Sequence, residues 1–390
     1  MVKCKAIILA VVVFLLLTVL PSCESKPIKP ASKPIDTYIV GEMDKQSIPG
    51  LSAAIIKQGR VAWSNGYGYA NKDSKTSFTA DTVINIASVS KTILGCSLMI
   101  ASEKGIVDLD ADINTYLKGF QVKNPYDNNF TVTLHKLATH TAGINDRNPV
   151  YGDTYYPGKD SPVSLGEFLK AYISENGGLY DKENFLDVSK GSYYQYSNIG
   201  AALAAHALEC ATGQTYPEFT RDHIFKPLKM DHTSWFIGTT DMRNHAMLYV
   251  EDGTAVPPYG LTTYPDGGLR TSANDLARFL AMVANDGVLD DVKIIQKDSV
   301  EEMLRNHLKE EQKPQGQPVP DEGIFWQADV NHPAMMGHTG GDIGVCTYMS
   351  LSADRKTGLL VLINSSADDS KTIALRNIIN RLWEFAYSLN

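Results

Sequence analysis

The 390-residue chain carries β-forming sequence at its two ends and helical sequence between them, an arrangement that few folds accommodate. Near the start, Leu51–Lys57 (LSAAIIK) and Arg60–Tyr69 (RVAWSNGYGY) are β-rich runs joined by Gln58-Gly59, a hairpin signal. The last third returns to that pattern at Gly323–Ala328, Val345–Ser352 and Leu359–Asn364. A tight turn at Asp354–Gly358 separates the last two, and an amphipathic helix at Ile373–Leu389 closes the chain. The middle, about residues 106–260, is mostly helical and loop-rich, with helical stretches at Leu134–Thr139, Leu165–Glu175, Asn198–Ala211 and Tyr216–Ile224. Strands at both ends around a helical insert imply one sheet assembled from the N- and C-terminal segments. The expected fold class is α/β in its α+β form, and the sequence has no internal repeat.

Smaller features refine that outline. A helix is expected from about Ser88 to Glu103, stopping at Gly105, because Ile93, Leu94, Ser97, Leu98 and Ala101 follow the spacing of a buried helix. Ser272 is expected to cap another, with Asp275 in its first turn and an end before Gly287. Residues 308–322 are polar and proline-rich, a surface excursion. Asn145–Ser161 (NDRNPVYGDTYYPGKDS) is a long polar and aromatic loop inside the helical part. Loops of that length within compact domains tend to be functional, so it is read as the rim of a site.

The first residues are expected to be a targeting segment. Lys3 and Lys5 precede an unbroken apolar run, Ala6–Leu20, which falls short of the roughly 20 residues needed to span a bilayer and therefore reads as a secretory leader. LPSC at 20–23 resembles the lipobox of bacterial lipoproteins, with Cys23 as the lipidated residue, although Pro21 departs from the commonest pattern. Residues 1–22 are then a signal peptide, 23–35 a tether rich in Lys, Pro and Ser, and 36–390 the folded domain. The expected location is the cell envelope, facing the periplasm or the cell surface, with membrane contact through the N-terminal lipid only. The formal charge is −8, and it becomes more negative without the leader's two lysines. A net acidic chain with no basic cluster argues against nucleic acid as a partner. Cys96, Cys210 and Cys346 are widely spaced among apolar or small neighbours, and are expected as free thiols rather than a disulfide framework.

Residues 85–95 read NIASVSKTILG, with Ser88 and Ser90 ahead of Lys91. A serine hydroxyl is a poor nucleophile near neutral pH and needs a partner to take its proton. On a helix, residues three apart share a face about 5–6 Å apart, which brings Ser88 and Lys91 together. Ser90, beside Lys91 in sequence, points about 100° around the axis and is expected as a helix-start residue. For Lys91 to act as a base its proton affinity must fall, through burial and a neighbouring cation. Taken alone, the pair is equally readable as a solvated lysine at a helix end.

Ser88-Val89-Ser90-Lys91, then Tyr196-Ser197-Asn198, then His338-Thr339-Gly340 resemble the three ordered elements of the serine β-lactamase/penicillin-binding-protein superfamily. The likeness is closest to its class C-like branch, which includes β-lactamases, D-aminopeptidases, DD-peptidases and esterases. Flanking blocks such as IPGLSAAIIKQGRVAWSNGYGYAN, VTLHKLATHTAGI and GGLRTSANDLARFL are similar to family text in the same order, over roughly residues 36–385. Two other YxN triplets, at Tyr69 and Tyr126, lie at a strand end and in a polar loop. A literal Lys356-Thr357-Gly358 falls in the turn between two strands, so His338 is assigned to the third element.

The resemblance implies a β-lactamase/transpeptidase-like fold: an antiparallel sheet flanked by helices, with a mainly helical subdomain. It implies an acyl-enzyme on Ser88, with Lys91 and Tyr196 moving its proton to the leaving group and Tyr196 activating the deacylating nucleophile. Asn198 would bind a substrate oxygen and hold Lys91. The backbone N–H groups of Ser88 and Gly341 would form the oxyanion hole, with His338, Thr339, Gly340 and Gly341 lining the substrate. Histidine at 338 is the informative departure, because a lysine there would supply a fixed charge for a substrate carboxylate, whereas histidine is mostly neutral at pH 7. The other reading of His338 is a structural residue of the strand. His140 and Cys96 are expected to be structural.

The sequence lacks HExxH, GxxxxGK[ST] and GxSxG, which removes zinc hydrolases, NTPases and ordinary α/β-hydrolases from contention. The expectation is a cofactor-free, metal-free serine hydrolase for a small-molecule or peptide amide or ester, of peptidase or esterase type. The alternatives are a class C-like β-lactamase, an acyltransferase, or a catalytically silent penicillin-binding sensor.

Overall fold

The computed structural model describes residues 33–191, 193–314, 319–329 and 332–389. The leader, Cys23 and the tether up to residue 32 lie outside the described residues. Strands β1 (Gly50–Lys57) and β2 (Arg60–Asn71) form the expected hairpin. Gln58 and Gly59 both take positive φ, 48° and 70°, as the primed turns favoured in tight hairpins require. The short β3 (Thr76–Ser77) follows. From the other end of the chain come β4 (Gln327–Ala328), β5 (Met336–Asp342), β6 (Val345–Leu351) and β7 (Thr357–Ile363). Their order across one antiparallel sheet is β4-β5-β6-β7-β1-β2-β3. The two ends of the chain meet at β1 and β7, where Leu51 lies opposite Ile363 and Lys57 opposite Thr357.

The expected strand at Gly323–Ala328 is cut to its last two residues. Phe325 adopts φ 57° and Gly323 N–H bonds back to the Trp326 carbonyl at 2.7 Å, so residues 323–326 turn instead of pairing. A helix at Lys33–Lys45 was not expected, and it takes in residues 33–35 that the sequence reading gave to the tether. Its Ile35, Ile39 and Met43, one turn apart, are buried against the sheet. With the C-terminal helix Asp369–Ser388, it covers the face bearing Leu51, Ala53, Ile55, Leu359, Val361 and Ile363.

The other face, through Ala54, Ile56, Leu360 and Leu362, joins a core that runs without a break into the helical region by way of Leu94, Leu98, Leu203 and Phe219. Helix Ala273–Ala284, capped by Ser272 as expected, lies in the same core. The helical region holds Leu134–Ala138, Leu165–Ile173 and Asn198–Thr212. Its helix at Tyr216–Thr220 widens into a π turn at Arg221–Phe225.

The helix Ser90–Glu103 threads this core, with every residue from Ser90 to Ala101 buried. Gly95, in its middle, faces the Ile324 carbonyl so closely that a Cβ would collide with the oxygen. In an open helix, glycine to alanine gains about 1 kcal/mol. Here the sign should reverse: Gly95→Ala is expected to cost about 1–3 kcal/mol through overpacking. Urea unfolding with an unchanged slope measures this, and a raised midpoint would show that the helix has room at Ile324.

Candidate active site

Ser88 sits in a 3-10 turn, Ala87–Val89, that leads into helix Ser90–Glu103. Residues three apart stay on one face in a 3-10 turn. Lys91 Nζ therefore still reaches Ser88 Oγ, at 3.1 Å. The turn is held in an unusual backbone state. Ala87 has φ 46°, a left-handed value rare for alanine, and its N–H bonds to Asn85 Oδ1 at 2.7 Å. Lys91 is fully buried. Its ammonium also donates to Asn198 Oδ1 at 2.7 Å and to the Asp266 carbonyl at 2.6 Å. These three acceptors match the three protons of an ammonium. Burial is thus as expected, but the groups that Lys91 touches are oxygen acceptors rather than the expected cation. Ser90 turns away, its hydroxyl accepting Leu269 N–H at 3.2 Å.

Tyr196-Ser197-Asn198 lies at the start of helix Asn198–Thr212. Ser197 is the N-cap, its hydroxyl accepting Gly200 N–H at 2.8 Å and donating to Asp146 Oδ1 at 2.8 Å. The Asp146 carboxylate also accepts Asn198 N–H at 2.7 Å and Ile199 N–H at 2.9 Å. A carboxylate at a helix N-terminus is favoured by the helix dipole. Sequence reasoning missed Asp146; the available signal was its place in the 145–161 loop.

The Tyr196 side chain is half-buried, but its hydroxyl is enclosed. Burial is the larger influence and leaves the proton affinity of that hydroxyl above its ordinary value, while the Lys91 charge beside it acts in the opposite direction. Lys91 Nζ lies 5.0 Å from the centre of the Tyr196 ring. His140 packs against the Tyr196 ring, 4.3 Å between centres, and its Nδ1 accepts Ser197 N–H at 3.2 Å. That bond places the His140 proton on Nε2, and burial keeps the ring neutral. His140 therefore has the structural setting that the sequence suggested.

Strand β5 runs beside the Ala87 turn. A Cβ on Gly340 would stand 2.7 Å from the Ile86 carbonyl and 3.1 Å from Ala87 Cβ, so only glycine permits this approach. Thr347 on β6 fastens the two elements by donating to the Ile86 carbonyl at 2.9 Å. Strand residues alternate faces, so His338, Gly340 and Asp342 share the face towards the turn. Thr339 and Gly341 face the opposite way and are exposed. The Thr339 side chain, expected among the substrate-lining groups, is therefore not on the His338 face, and Gly341 offers the turn only its backbone. His338 is buried, 6.1 Å from the Tyr196 ring centre, and its Nδ1 donates to the Thr339 carbonyl at 2.6 Å. Burial, reinforced by the Lys91 charge, lowers its pKa to about 3. Lys356, by contrast, is exposed in the β6–β7 turn.

Two more acids border Lys91, and neither was anticipated. Asp266 is buried, which raises its pKa to about 7, and the Tyr151 hydroxyl lies 3.3 Å from its Oδ2. Asp342 is also shifted upward by burial, although Ile343 N–H donates to its Oδ1 at 2.8 Å. Asp146, Tyr151 and Tyr155 all come from the 145–161 loop, which thus borders this cluster.

A family model described as Beta-lactamase matches residues 35–381 of the chain. Protein flp of Staphylococcus aureus (strain MW2) is 24% identical over 338 residues, covering 86% of this chain and 63% of that protein, so the chain spans less than two thirds of this relative. Among solved structures, the octameric penicillin-binding protein homologue from Pyrococcus abyssi aligns with TM-score 0.69 at 25% identity, covering 90% of this chain and 78% of that one. The D-alanine carboxypeptidase AmpC from Burkholderia cenocepacia aligns with TM-score 0.67 at 21% identity, covering 90% and 99%. The seven-stranded antiparallel sheet and the match along most of its length lead to one conclusion: the chain belongs to the Beta-lactamase family.

Proposed function

We propose that the protein is an exported, lipid-anchored serine hydrolase that cleaves an amide or ester through an acyl-enzyme on Ser88. The observation that carries this reading is the buried Lys91 ammonium within 3.1 Å of Ser88 Oγ, fixed by Asn198 and the Asp266 carbonyl. Ser88 Oγ attacks the carbonyl carbon, and its proton passes by way of Tyr196, beside the Lys91 charge, to the departing amine or alcohol as that bond breaks. Lys91, with three acceptors, acts as the fixed positive charge that eases ionisation of Ser88 and Tyr196. Tyr196 is the group that changes protonation. In deacylation Tyr196 takes a proton from water, the ester bond to Ser88 breaks, and Oγ regains a proton. An alcohol or amine acceptor in place of water would make the same site a transacylase. The Ser88 and Gly341 N–H groups serve as the oxyanion hole, consistent with the close approach of β5 to the turn. Peptidase or esterase chemistry is favoured over β-lactam hydrolysis because His338 is neutral and offers no charge to a substrate carboxylate.

A fluorophosphonate probe should label the wild-type protein and fail on Ser88→Ala; equal labelling of both would remove Ser88 as nucleophile. Tyr196→Phe should slow turnover about 10²-fold or more, and an unchanged rate would take the proton relay elsewhere. His338→Lys should raise the rate on carboxylate-bearing β-lactams relative to short acyl esters. A constant ratio would show that carboxylate selection does not depend on this position. Anchoring rests on the leader sequence and Cys23. Cys23→Ser should move the protein from the membrane fraction to the soluble one, and retention in the membrane would exclude a lipid at that residue.

A further inference from the structure

A second group of reactive side chains stands apart from Ser88, on the helix Asn198–Thr212. Glu209 and Cys210 follow His206 by three and four residues, so the three share one face of that helix. Cys210 Sγ lies 3.6 Å from His206 Nε2, and His206 Nδ1 donates to Glu209 Oε2 at 3.0 Å. With its Nδ1 proton committed to the carboxylate, neutral His206 offers the thiol a lone pair on Nε2. A nucleophile within reach of a base, and a base oriented by a third group, is the arrangement that activates a side chain for covalent chemistry.

Each member is held by its surroundings. Glu209 Oε1 accepts Tyr216 N–H at 2.9 Å and the Tyr264 hydroxyl at 3.2 Å, which leaves Oε2 for the imidazole. The His206 ring lies parallel to Phe120, with 7° between planes and 5.9 Å between centres. From the helix Leu165–Ile173, Gly166 comes so near that a Cβ there would stand 2.7 Å from His206 Cε1. The His206 and Glu209 side chains are only 14% and 19% exposed, so their contact is weakly screened. Cys210 is a free cysteine and only half-buried, so a small reagent in solution can reach it.

Electrostatics favour the ionised form of the Cys210–His206 pair. Burial works against a charge on His206, but its bonds to Cys210 and Glu209 outweigh that cost and raise its pKa to about 9. Burial likewise opposes a thiolate, and the His206 bond overcomes it, leaving Cys210 below the ordinary thiol range. Cys210 lies in the last turn of its helix, where the dipole favours a cation over a thiolate, so the stabilisation comes from the imidazolium. Cys346, also free and half-buried, is pushed the other way by burial.

We infer that Cys210 is a second covalent site of this protein, a thiolate that exchanges with low-molecular-weight disulfides. His206 Nε2 takes the proton from Sγ, and the thiolate attacks one sulfur of the disulfide. The new bond to Sγ forms as the old S–S bond breaks, and the departing thiolate takes the proton from His206. The products are a mixed disulfide at Cys210 and one free thiol, and the small disulfide is the only oxidant required. No part of this step involves Ser88, so it stands independently of the acyl-enzyme reading.

The test treats the native full-length protein with bis(2-hydroxyethyl) disulfide and maps modified cysteines by peptide mass spectrometry. Cys210 should carry the adduct, reversible by dithiothreitol, before Cys346 and Cys96 do. Equal or faster modification of Cys346, or none at Cys210, overturns the inference. Alkylation by iodoacetamide at about pH 6 and about pH 8 reads the ionisation directly, because an ordinary thiol slows about a hundredfold across that interval. Cys210 should slow only about tenfold or less, and a fall like that of an ordinary thiol would overturn the thiolate. His206→Asn should slow alkylation of Cys210 at the lower pH about tenfold or more and leave Cys346 unchanged. An unchanged Cys210 rate in the folded variant overturns activation by His206. Should that variant fail to fold, the pH comparison on the wild-type protein decides.

Discussion

The buried ammonium of Lys91 is the interaction on which the arrangement of the site depends. It draws together three parts of the chain far apart in sequence: the Ser88 turn, the start of the helix at Asn198, and the Asp266 segment. An ammonium inside a protein is tolerated only when its protons are donated, because a buried donor left without an acceptor costs about 1–3 kcal/mol and a charged one more. Each acceptor must therefore be held in place by something else. Asn198 is held because Asp146 accepts the N–H groups of Asn198 and Ile199 and the Ser197 hydroxyl. The 145–161 loop is in this way tied to the charge, although none of the three acceptors of Lys91 comes from it.

A second constraint acts on Ser88 through the backbone. Alanine in the left-handed region costs about 1–2 kcal/mol, and Ala87 holds that state immediately before the proposed nucleophile. Asn85 captures the Ala87 N–H, and Thr347 holds the Ile86 carbonyl from the neighbouring sheet. The strain is thus confined by contacts on both sides, as is common where geometry serves a site. Gly340 is the counterpart on the strand: without a side chain, β5 comes within contact of the turn. One element supplies an unfavourable conformation and the other gives up a side chain, and together they set the gap between Ser88 and the strand.

The larger architecture was legible because it rests on local patterns. Gln58-Gly59 is a turn whatever surrounds it, and the apolar runs at both chain ends had to find partners in one sheet. The helix at Lys33–Lys45 escaped notice because Pro30 before it and Pro34 in its first turn read as tether, while its apolar residues acquire meaning only against the sheet. The strand expected at Gly323–Ala328 failed for the opposite reason: its composition suits a strand, but a turn at Phe325 overrides it. At the site, Ser88, Lys91 and Asn198 could be related by spacing and family likeness. Asp266 could not, since a carbonyl accepting from a lysine leaves no signature in a single sequence, and Asp146 was marked only by its place in the 145–161 loop. Thr339 shows the limit of a motif. Adjacent letters in a strand point to opposite faces, so a run of three cannot all line one pocket with side chains.

That alternation also explains why the charge character of the site can be read from one strand. Only every second residue of β5 faces the Ser88 turn, which leaves His338, Gly340 and Asp342. The first is kept neutral by burial, with its pKa near 3, the second is bare backbone, and the third is an acid. Protonating His338 to create a positive charge would work against both its burial and the Lys91 ammonium, so the imidazole remains uncharged across the physiological range. An anion moving along this face therefore meets a neutral ring at one end and a carboxylate at the other. Lys91, the nearby cation, has already committed its protons and has none left to offer it.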